Sequence, residues 1–382
     1  MIYKLDPSNY ERARSLFNAL EEYQPMCSAV LEGVYPGKVF VDDLNHPRTA
    51  FITTFISSED DGVWGFLAGE PSNEVFNKAL NKDIRNREII SAKAPVVFLT
   101  CYPEDWYGQL PVVFHPQQPI PMLRRHYECY EFASDWRSDV PDGYEIRQLD
   151  ETFLTHPELK VPDEIIKMLK KWRSISDPRF VDFGFVCIHG DRIVSWATMD
   201  FISGGVGEAG IFTLEGYRRR GLATVVTAAA VEHGLSHELS KVNWTCIESN
   251  IASIRTAEKL GFNRKRDYRM YYMIFDEVEH LGNLVYSYLQ KRQYREAVDI
   301  FEKSLALRDD LPIWAYYDAA RGWAGLGNGE MMFAYLNKLA ERGWTEVESL
   351  VGCKEFEPWL ETSEWISLMQ RMRGDMQGGG ER

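Results

Sequence analysis

Residues 210–226 read GIFTLEGYRRRGLATVV. An apolar, β-branched run meets three arginines and a glycine, and small apolar residues follow, AAAVEHGL at 228–235. The pattern predicts a strand ending at Leu214 and a helix starting near Leu222, so the surrounding fold is of the α/β class. The first turn of a helix leaves backbone N–H groups without partners, and these donors add to the helix dipole to make an anion site. Gly221 lets a phosphate approach the backbone and permits unusual torsions, and Ala223 keeps the entrance clear. Arg218, Arg219 and Arg220 supply counter-charge. The joint is built to hold a phosphate-bearing ligand, a pyrophosphate above all. A basic loop that merely caps a helix, with solvated arginines, has the same spacing.

The rest of the chain falls into three segments. In the first, 1–139, VFVDD (39–43), TAFITTFI (49–56) and VWGFLAG (63–69) read as successive strands separated by turns. SNEVFNKALNKDI (72–84) reads as a helix capped by Ser72, APVVFLTC (94–101) as a buried strand and RRHYECYEF (124–132) as a closing strand. The polar junction SDWRSDVPDGY leads into a second segment, 140–278, which repeats this order. It has a helix over 161–175, a hairpin formed by FGFVCIHG and DRIVSWATMDFI, then GEAGIFTL and the arginine–glycine joint. KVNWTCIES is a strand, NIASIRTAEKLGF a helix ending on Gly261, and RDYRMYYMIF a closing strand much like RRHYECYEF. The two segments look like an internal duplication.

The third segment, 279–382, has apolar residues only at helical spacing. Its helix pairs resemble the tetratricopeptide repeat, with Ala297 and Phe301 as packing positions in one unit and Trp323, Leu326 and Gly327 in the next. Met332 departs from that pattern, because a small residue is expected there. Two such units and the tail EFEPWLETSEWISLMQRM are too few for a free solenoid.

No apolar run is long enough to cross a bilayer, and the charged, amphipathic start of the chain is not a secretory signal. Cys27, Cys101, Cys129, Cys187, Cys246 and Cys353 stand singly, so no metal site or disulfide framework is indicated and a cytoplasmic location is expected. The net charge of −14 argues against nucleic acid and membranes as partners and suits a cationic substrate such as an amine.

Arg218-Arg219-Arg220-Gly221-Leu222-Ala223 fits Q/R-x-x-G-x-G/A, the pyrophosphate loop of the GNAT superfamily of N-acetyltransferases. About thirty residues on, Asn250-Ile251-Ala252-Ser253 and Glu258-Lys259-Leu260-Gly261-Phe262 resemble that superfamily's N-x-x-[AS] … EKLGF element. IFTLEGYRRRG resembles its fourth strand entering the loop. Order and spacing agree over about residues 140–275. The first segment resembles a degenerate lobe of the same kind without the loop. The tandem layout and GKVFVDDLNHPRTAFI look similar to the zwittermicin-resistance acetyltransferases. The implied architecture is two tandem GNAT lobes followed by an all-α, tetratricopeptide-like region.

The resemblance implies acetyl-CoA as cosubstrate and an amine that attacks the thioester directly. It places the pyrophosphate on the amides of Arg219, Arg220, Gly221, Leu222, Ala223 and Thr224. The pantetheine arm would pair with Ile211, Phe212 and Thr213 where the fourth and fifth strands splay, with Asn250 touching it and Ser253 and Arg255 near the cofactor. The reaction needs a base for the ammonium and a donor for the departing thiolate. Glu208 is the first base candidate, with Asp200 and Glu248 as alternatives. Many family members carry a tyrosine where this chain has Ala257, so Tyr268 and Tyr271, with Tyr272, are the candidate donors. Three functions fit: N-acetylation of a small polar or cationic amine such as an antibiotic, acetylation of a protein or peptide N-terminus docked by the repeats, and an acyl-CoA-binding scaffold without catalysis. The helical segment is also a candidate surface for a protein partner or for self-association.

Overall fold

A computed structural model describes residues 1–56, 58, 60–154, 158–174 and 184–378 of the chain. It divides into two compact units, Met1–Met273 and Ile274–Arg382. The first half of the larger unit contains β1 (Tyr3–Lys4), α1 (Glu11–Glu21), α2 (Pro25–Leu31), β2 (Lys38–Val41), β3 (Thr49–Thr54), β4 (Val63–Gly69), α3 (Glu74–Arg85), β5 (Val96–Tyr102), α4 (Leu110–Val113) and β6 (Ile120–Cys129). The second half contains β7 (Tyr144–Gln148), α5 (Asp163–Ser174), β8 (Phe185–His189), β9 (Arg192–Ser203), β10 (Val206–Thr213), α6 (Leu222–Ser236), β11 (Lys241–Ile247), α7 (Ile251–Lys259) and β12 (Asn263–Ile274). Ile175 and Phe183, at the ends of two expected elements, and Ser57 and Glu59 of an expected turn lie outside the described residues.

All twelve strands join one sheet in the order β1-β2-β3-β4-β5-β12-β6-β11-β10-β9-β8-β7. This corrects the expected division at 139/140. The strand that should close each half lies instead beside the fifth strand of the other half. β12 stands next to β5, and β6 runs antiparallel to β11 from Val242↔Cys129 to Ile247↔Arg124. β6 and β12 then pair with each other over Asn263↔Glu128 to Tyr272↔Ile120. Two open sheets, each with an unpaired edge, satisfy one another's backbone groups by this exchange.

The helices seal the arrangement. On one face, α1 and α2 bury Phe17, Leu20, Cys27 and Val30 against Val39, Ile52 and Phe66 of the first half and against Val186, Ile193 and Phe201 of the second. Ser203 Oγ donates to Glu32 across the same boundary at 2.7 Å. On the other face, α6 is apolar nearly all round and buries Leu222, Val226 and Ala228 to Val231 against Met199, Val242 and Trp244. A helix without a polar face belongs in a core. The cap of α3 is Asn73, whose side chain accepts from the Phe76 amide, and not the expected Ser72, which donates to Glu70. β6 begins four residues before the expected Arg124 and ends at Cys129.

The second unit is helical, with α8 (Glu277–Gln290), α9 (Tyr294–Leu307), α10 (Ile313–Gly325), α11 (Gly329–Glu341), α12 (Val347–Val351) and α13 (Ser363–Gly378). Ala297, Phe301, Ala319, Met332 and Leu336 are buried in its core. Met332 therefore fills space where a smaller side chain was expected. Trp323 and Leu326 are half-buried. Arg321 forms ion pairs with Asp318 at 3.2 Å and Glu355 at 3.3 Å, and burial pushes the Asp318 carboxyl up to about 6. No helix among the described residues is long and apolar enough to cross a membrane.

The strand exchange carries a prediction. Chains 1–139 and 140–273, expressed separately, each lack the strand that completes their sheet, so neither shows a cooperative unfolding transition alone. Mixed during refolding, they recover one. Circular dichroism melts of the separate and mixed fragments check this, and an independently folded 140–273 fragment would refute it.

Candidate active site

β10 and β11 run parallel only over Val206↔Lys241, Gly207↔Val242 and Glu208↔Asn243. Beyond Asn243 their registered pairing stops, while β10 stays paired to β9 as far as Thr213↔Ser195 and β11 to β6 as far as Ile247↔Arg124. The inner edges of the two strands therefore part, and a cavity of about 810 Å³ opens between them. Ala209 to Thr213 form one wall and Trp244 to Ile247 the other. The loop and helix start at Arg218, Arg219 and Gly221 to Thr224 close one end, with Asn250 and Ser253 alongside.

The loop is shaped by two left-handed residues. Arg219 has φ +64° and Gly221 φ +79°. For an arginine that conformation is disfavoured and costs on the order of 1–3 kcal/mol. Gly221 is the N-cap of α6, with no side-chain cap, and a Cβ added there would meet no atom within 4 Å. The helix N-terminus therefore faces open space. Arg218 Nε donates to the Thr213 carbonyl at 3.3 Å. Arg220 is engaged elsewhere, donating to Tyr144 Oη at 2.8 Å and the Gly216 carbonyl at 3.0 Å, and it does not line the cavity. Of the three arginines, Arg218 and Arg219 face the opening.

A polar chain stands where the strands part. Thr245 Oγ1 donates to Glu208 Oε1 and accepts from Arg124 Nη2 at 2.8 Å. Burial raises the Glu208 carboxyl above its ordinary range, and the Thr245 hydrogen bond and the Arg124 charge offset part of that rise. Asp200 pairs with Glu208 across β9 and β10. The next residue, Phe201, has φ +55°, and the β9–β10 register shifts between Val206 and Glu208. This bulge re-aims the strand. A Cβ at Gly210 would lie 2.6 Å from both Asp200 Oδ2 and Thr198 Oγ1, so glycine is needed for these side chains to lean over the cavity wall. Glu208 touches the cavity-lining Thr245 and Asp200 stands over the cavity-lining Gly210, so both carboxylates sit behind the wall near where the strands part and neither lines the cavity itself; the arginine loop is at the other end.

The remaining expected residues divide. Ile211, Phe212, Thr213, Leu222, Ala223, Thr224, Asn250 and Ser253 line the cavity; Arg255 does not. Asn250 also caps α7 by accepting from the Ser253 amide, and Ser253 Oγ accepts from Trp244 Nε1 at 3.0 Å. Glu248 is tied to Arg125 at 3.3 Å and does not line the cavity. Ala257 is fully buried in the core. Tyr268 is buried beside Tyr23, with ring centres 4.9 Å apart, opposite Arg124 in the β6–β12 register. Tyr271 packs on Tyr107 at 5.3 Å, and neither tyrosine lines the cavity. Burial pushes both phenols up, which suits them as packing groups. Sequence reading missed Arg124 and Thr245. Arg124 lies in the strand assigned to the first half, and nothing local says that this strand crosses to β11.

The corresponding place in the first half is closed. β4 and β5 pair in parallel through six consecutive residues, Val63↔Val97 to Ala68↔Tyr102. A Cβ at Gly69 would lie 2.0 Å from the Arg48 carbonyl oxygen, and the turn that follows carries Glu70 rather than arginines.

A family model for GNAT acetyltransferases matches residues 14–271. The chain belongs to the GNAT acetyltransferase family. It is 27% identical over 278 residues to the uncharacterized N-acetyltransferase YdfB of Bacillus subtilis, covering 71% of this chain and 98% of that protein. Among solved structures, a GCN5-related N-acetyltransferase from Sphaerobacter thermophilus aligns with a TM-score of 0.50 at 13% identity, over 72% of this chain and 95% of that one. A fungal multi-domain GH3 β-N-acetylglucosaminidase with a GCN5-related glucosamine N-acetyltransferase region aligns with the same TM-score at 10% identity, over 72% of this chain and 38% of that one. The protein is an N-acetyltransferase of this family, and the family implies acetyl-CoA as cosubstrate. The helical unit from Ile274 onward lies outside the matched residues.

The contrast between the halves sets the stoichiometry. Calorimetric titration with acetyl-CoA is expected to give one equivalent per chain, and two equivalent sites would contradict the closed first half.

Proposed function

We propose that the chain transfers the acetyl group of acetyl-CoA, bound between β10 and β11, to the primary amine of a small, cationic acceptor. The observation that carries this is the parting of the two strands directly in front of a helix N-terminus left open by Gly221. The cavity runs from the arginine loop to Thr245 and Arg124, with Glu208 hydrogen-bonded behind Thr245, so a cosubstrate with a pyrophosphate at one end and a thioester at the other matches its polarity. Two carboxylates close behind the wall at the thioester end, on a chain of net charge −14, favour a cationic acceptor. The tandem layout supports an acceptor of the amino-polyol type handled by zwittermicin-resistance enzymes. In the helical unit, the tetratricopeptide-like pairing of α8 with α9 and α10 with α11 serves a separate, docking role in this reading.

Glu208 is the general base. Attack requires a neutral amine, whereas an alkyl ammonium predominates at neutral pH. A carboxylate raised by burial accepts that proton more readily than an ordinary one. The amine lone pair then forms the C–N bond and the C–S bond breaks.

Gly221→Glu meets no atom but holds a left-handed backbone, a strain of about 1–3 kcal/mol that a folded chain tolerates, and it places a like charge where the phosphates would sit. Losing charge-assisted hydrogen bonds of this kind should weaken acetyl-CoA binding by about tenfold or more. Unchanged affinity in the folded variant would remove the loop from the site. Glu208→Gln should lower kcat by on the order of 10²–10⁴ at neutral pH while sparing acetyl-CoA affinity. Only the ionised carboxylate takes a proton, so activity in the parent should fall as pH drops through a pKa above the ordinary carboxylate range. The Gln variant should lose that limb and recover partly at high pH, where more acceptor is already neutral. A pH–rate profile of both proteins decides it, and full turnover in Glu208→Gln would make Glu208 structural.

A further inference from the structure

We infer that Arg124, carried by the exchanged strand β6, is a catalytic residue that holds the departing CoA thiolate. This rests on the reading that acetyl-CoA lies between β10 and β11. Ala257 is buried in the core and offers no proton, and neither Tyr268 nor Tyr271 lines the cavity. None of Ala257, Tyr268, Tyr271 and Tyr272 therefore presents a hydroxyl to the leaving sulfur. Arg124 does line the cavity, at the end where the strands part.

Its guanidinium is fixed on two sides. Nη2 donates to Thr245 Oγ1 at 2.8 Å, and the group sits over the Trp64 ring at 5.4 Å. Nε is buried and has no hydrogen-bond partner among the described residues. That N–H is closed off from the opening, so the guanidinium acts through its charge: a cation fixed in the cavity wall is set for an anion that arrives with the substrate. Its field already acts on a sulfur in the same wall: burial raises the Cys246 thiol, while the Ser253 hydrogen bond and Arg124 offset part of the rise.

The step balances without an added acid. Glu208 takes one proton from the ammonium, and the nitrogen lone pair forms the C–N bond to the acetyl carbon. The C–S bond breaks with its electron pair on sulfur, and the second nitrogen proton leaves to solvent. An arginine stays protonated at working pH, so it does not donate the proton but stabilises the thiolate by charge until water protonates it. The first half, whose own β4–β5 junction is closed, thus supplies a group to the reaction.

The test compares CoA with desulfo-CoA, which lacks the sulfur. A neighbouring opposite charge moves a pKa by one to three units, so above the thiol's ionisation the parent should bind CoA at least about tenfold tighter than desulfo-CoA. In Arg124→Gln that preference should vanish while desulfo-CoA affinity holds, which also reports an intact fold. Its kcat should fall by about 10²–10³ with little change in KM for acetyl-CoA. Arg124→Lys, which keeps a charge on the same strand, should retain the preference. Equal affinity of the parent for the two ligands overturns the proposal whatever the variants do. So does a folded Gln variant that keeps either the preference or its turnover, or a Lys variant that loses the preference. If desulfo-CoA fails to bind the parent at all, it is the placement of acetyl-CoA that falls, and this inference with it.

Discussion

β6 and β12 trade places, and the architecture of the larger unit depends on that exchange. Each half ends in a strand that pairs with the fifth strand of the other, and the two exchanged strands pair with each other at the centre. The backbone hydrogen bonds this creates leave no edge in the middle of a twelve-stranded sheet. They also hold β11 from its outer side. Because β11 is anchored to β6 and β10 to β9, the inner edges of β10 and β11 can stay apart without losing their places.

The two halves share a layout but differ at this one junction. In the first, β4 and β5 zip together along their length, and Gly69 presses against the Arg48 carbonyl. In the second, pairing stops after Asn243, and Gly221 faces open space. A closed junction gives up a ligand and gains hydrogen bonds. An open one leaves backbone groups unsatisfied, and an extended ligand that supplies donors and acceptors can restore them. The asymmetry thus separates a half that braces from a half that binds, while α1 and α2 bind both into one core.

Charge is arranged with equal economy. The chain is strongly acidic, yet the described cavity walls carry Arg124, Arg218 and Arg219, with Glu208 held behind Thr245. Thr245 connects Glu208 to Arg124, so a base and a cation sit on opposite sides of one hydroxyl. Burial raises the Glu208 carboxyl, and the Thr245 hydrogen bond and then the Arg124 charge offset part of that rise. The bulge at Phe201 and the glycine at 210 bring Asp200 to the same wall.

The strand–loop–helix joint was legible in the sequence because a helix N-terminus, a glycine and neighbouring arginines are local features, set within a few residues of one another. The helical character of the last segment was legible for the same reason, because helix periodicity is short-range, whereas the stretch 211–213 and Asn250 came only with the family resemblance. Strand partnership is not. RRHYECYEF and RDYRMYYMIF look alike, and either could close either half, since β pairing depends on contacts between residues more than a hundred positions apart. The sequence by itself therefore determined which segments are strands and where a glycine opens a helix start beside arginines. Only the tertiary structure decided that β6 crosses to β11, which carries Arg124 to the cavity and places Tyr268 and Tyr271 away from its walls.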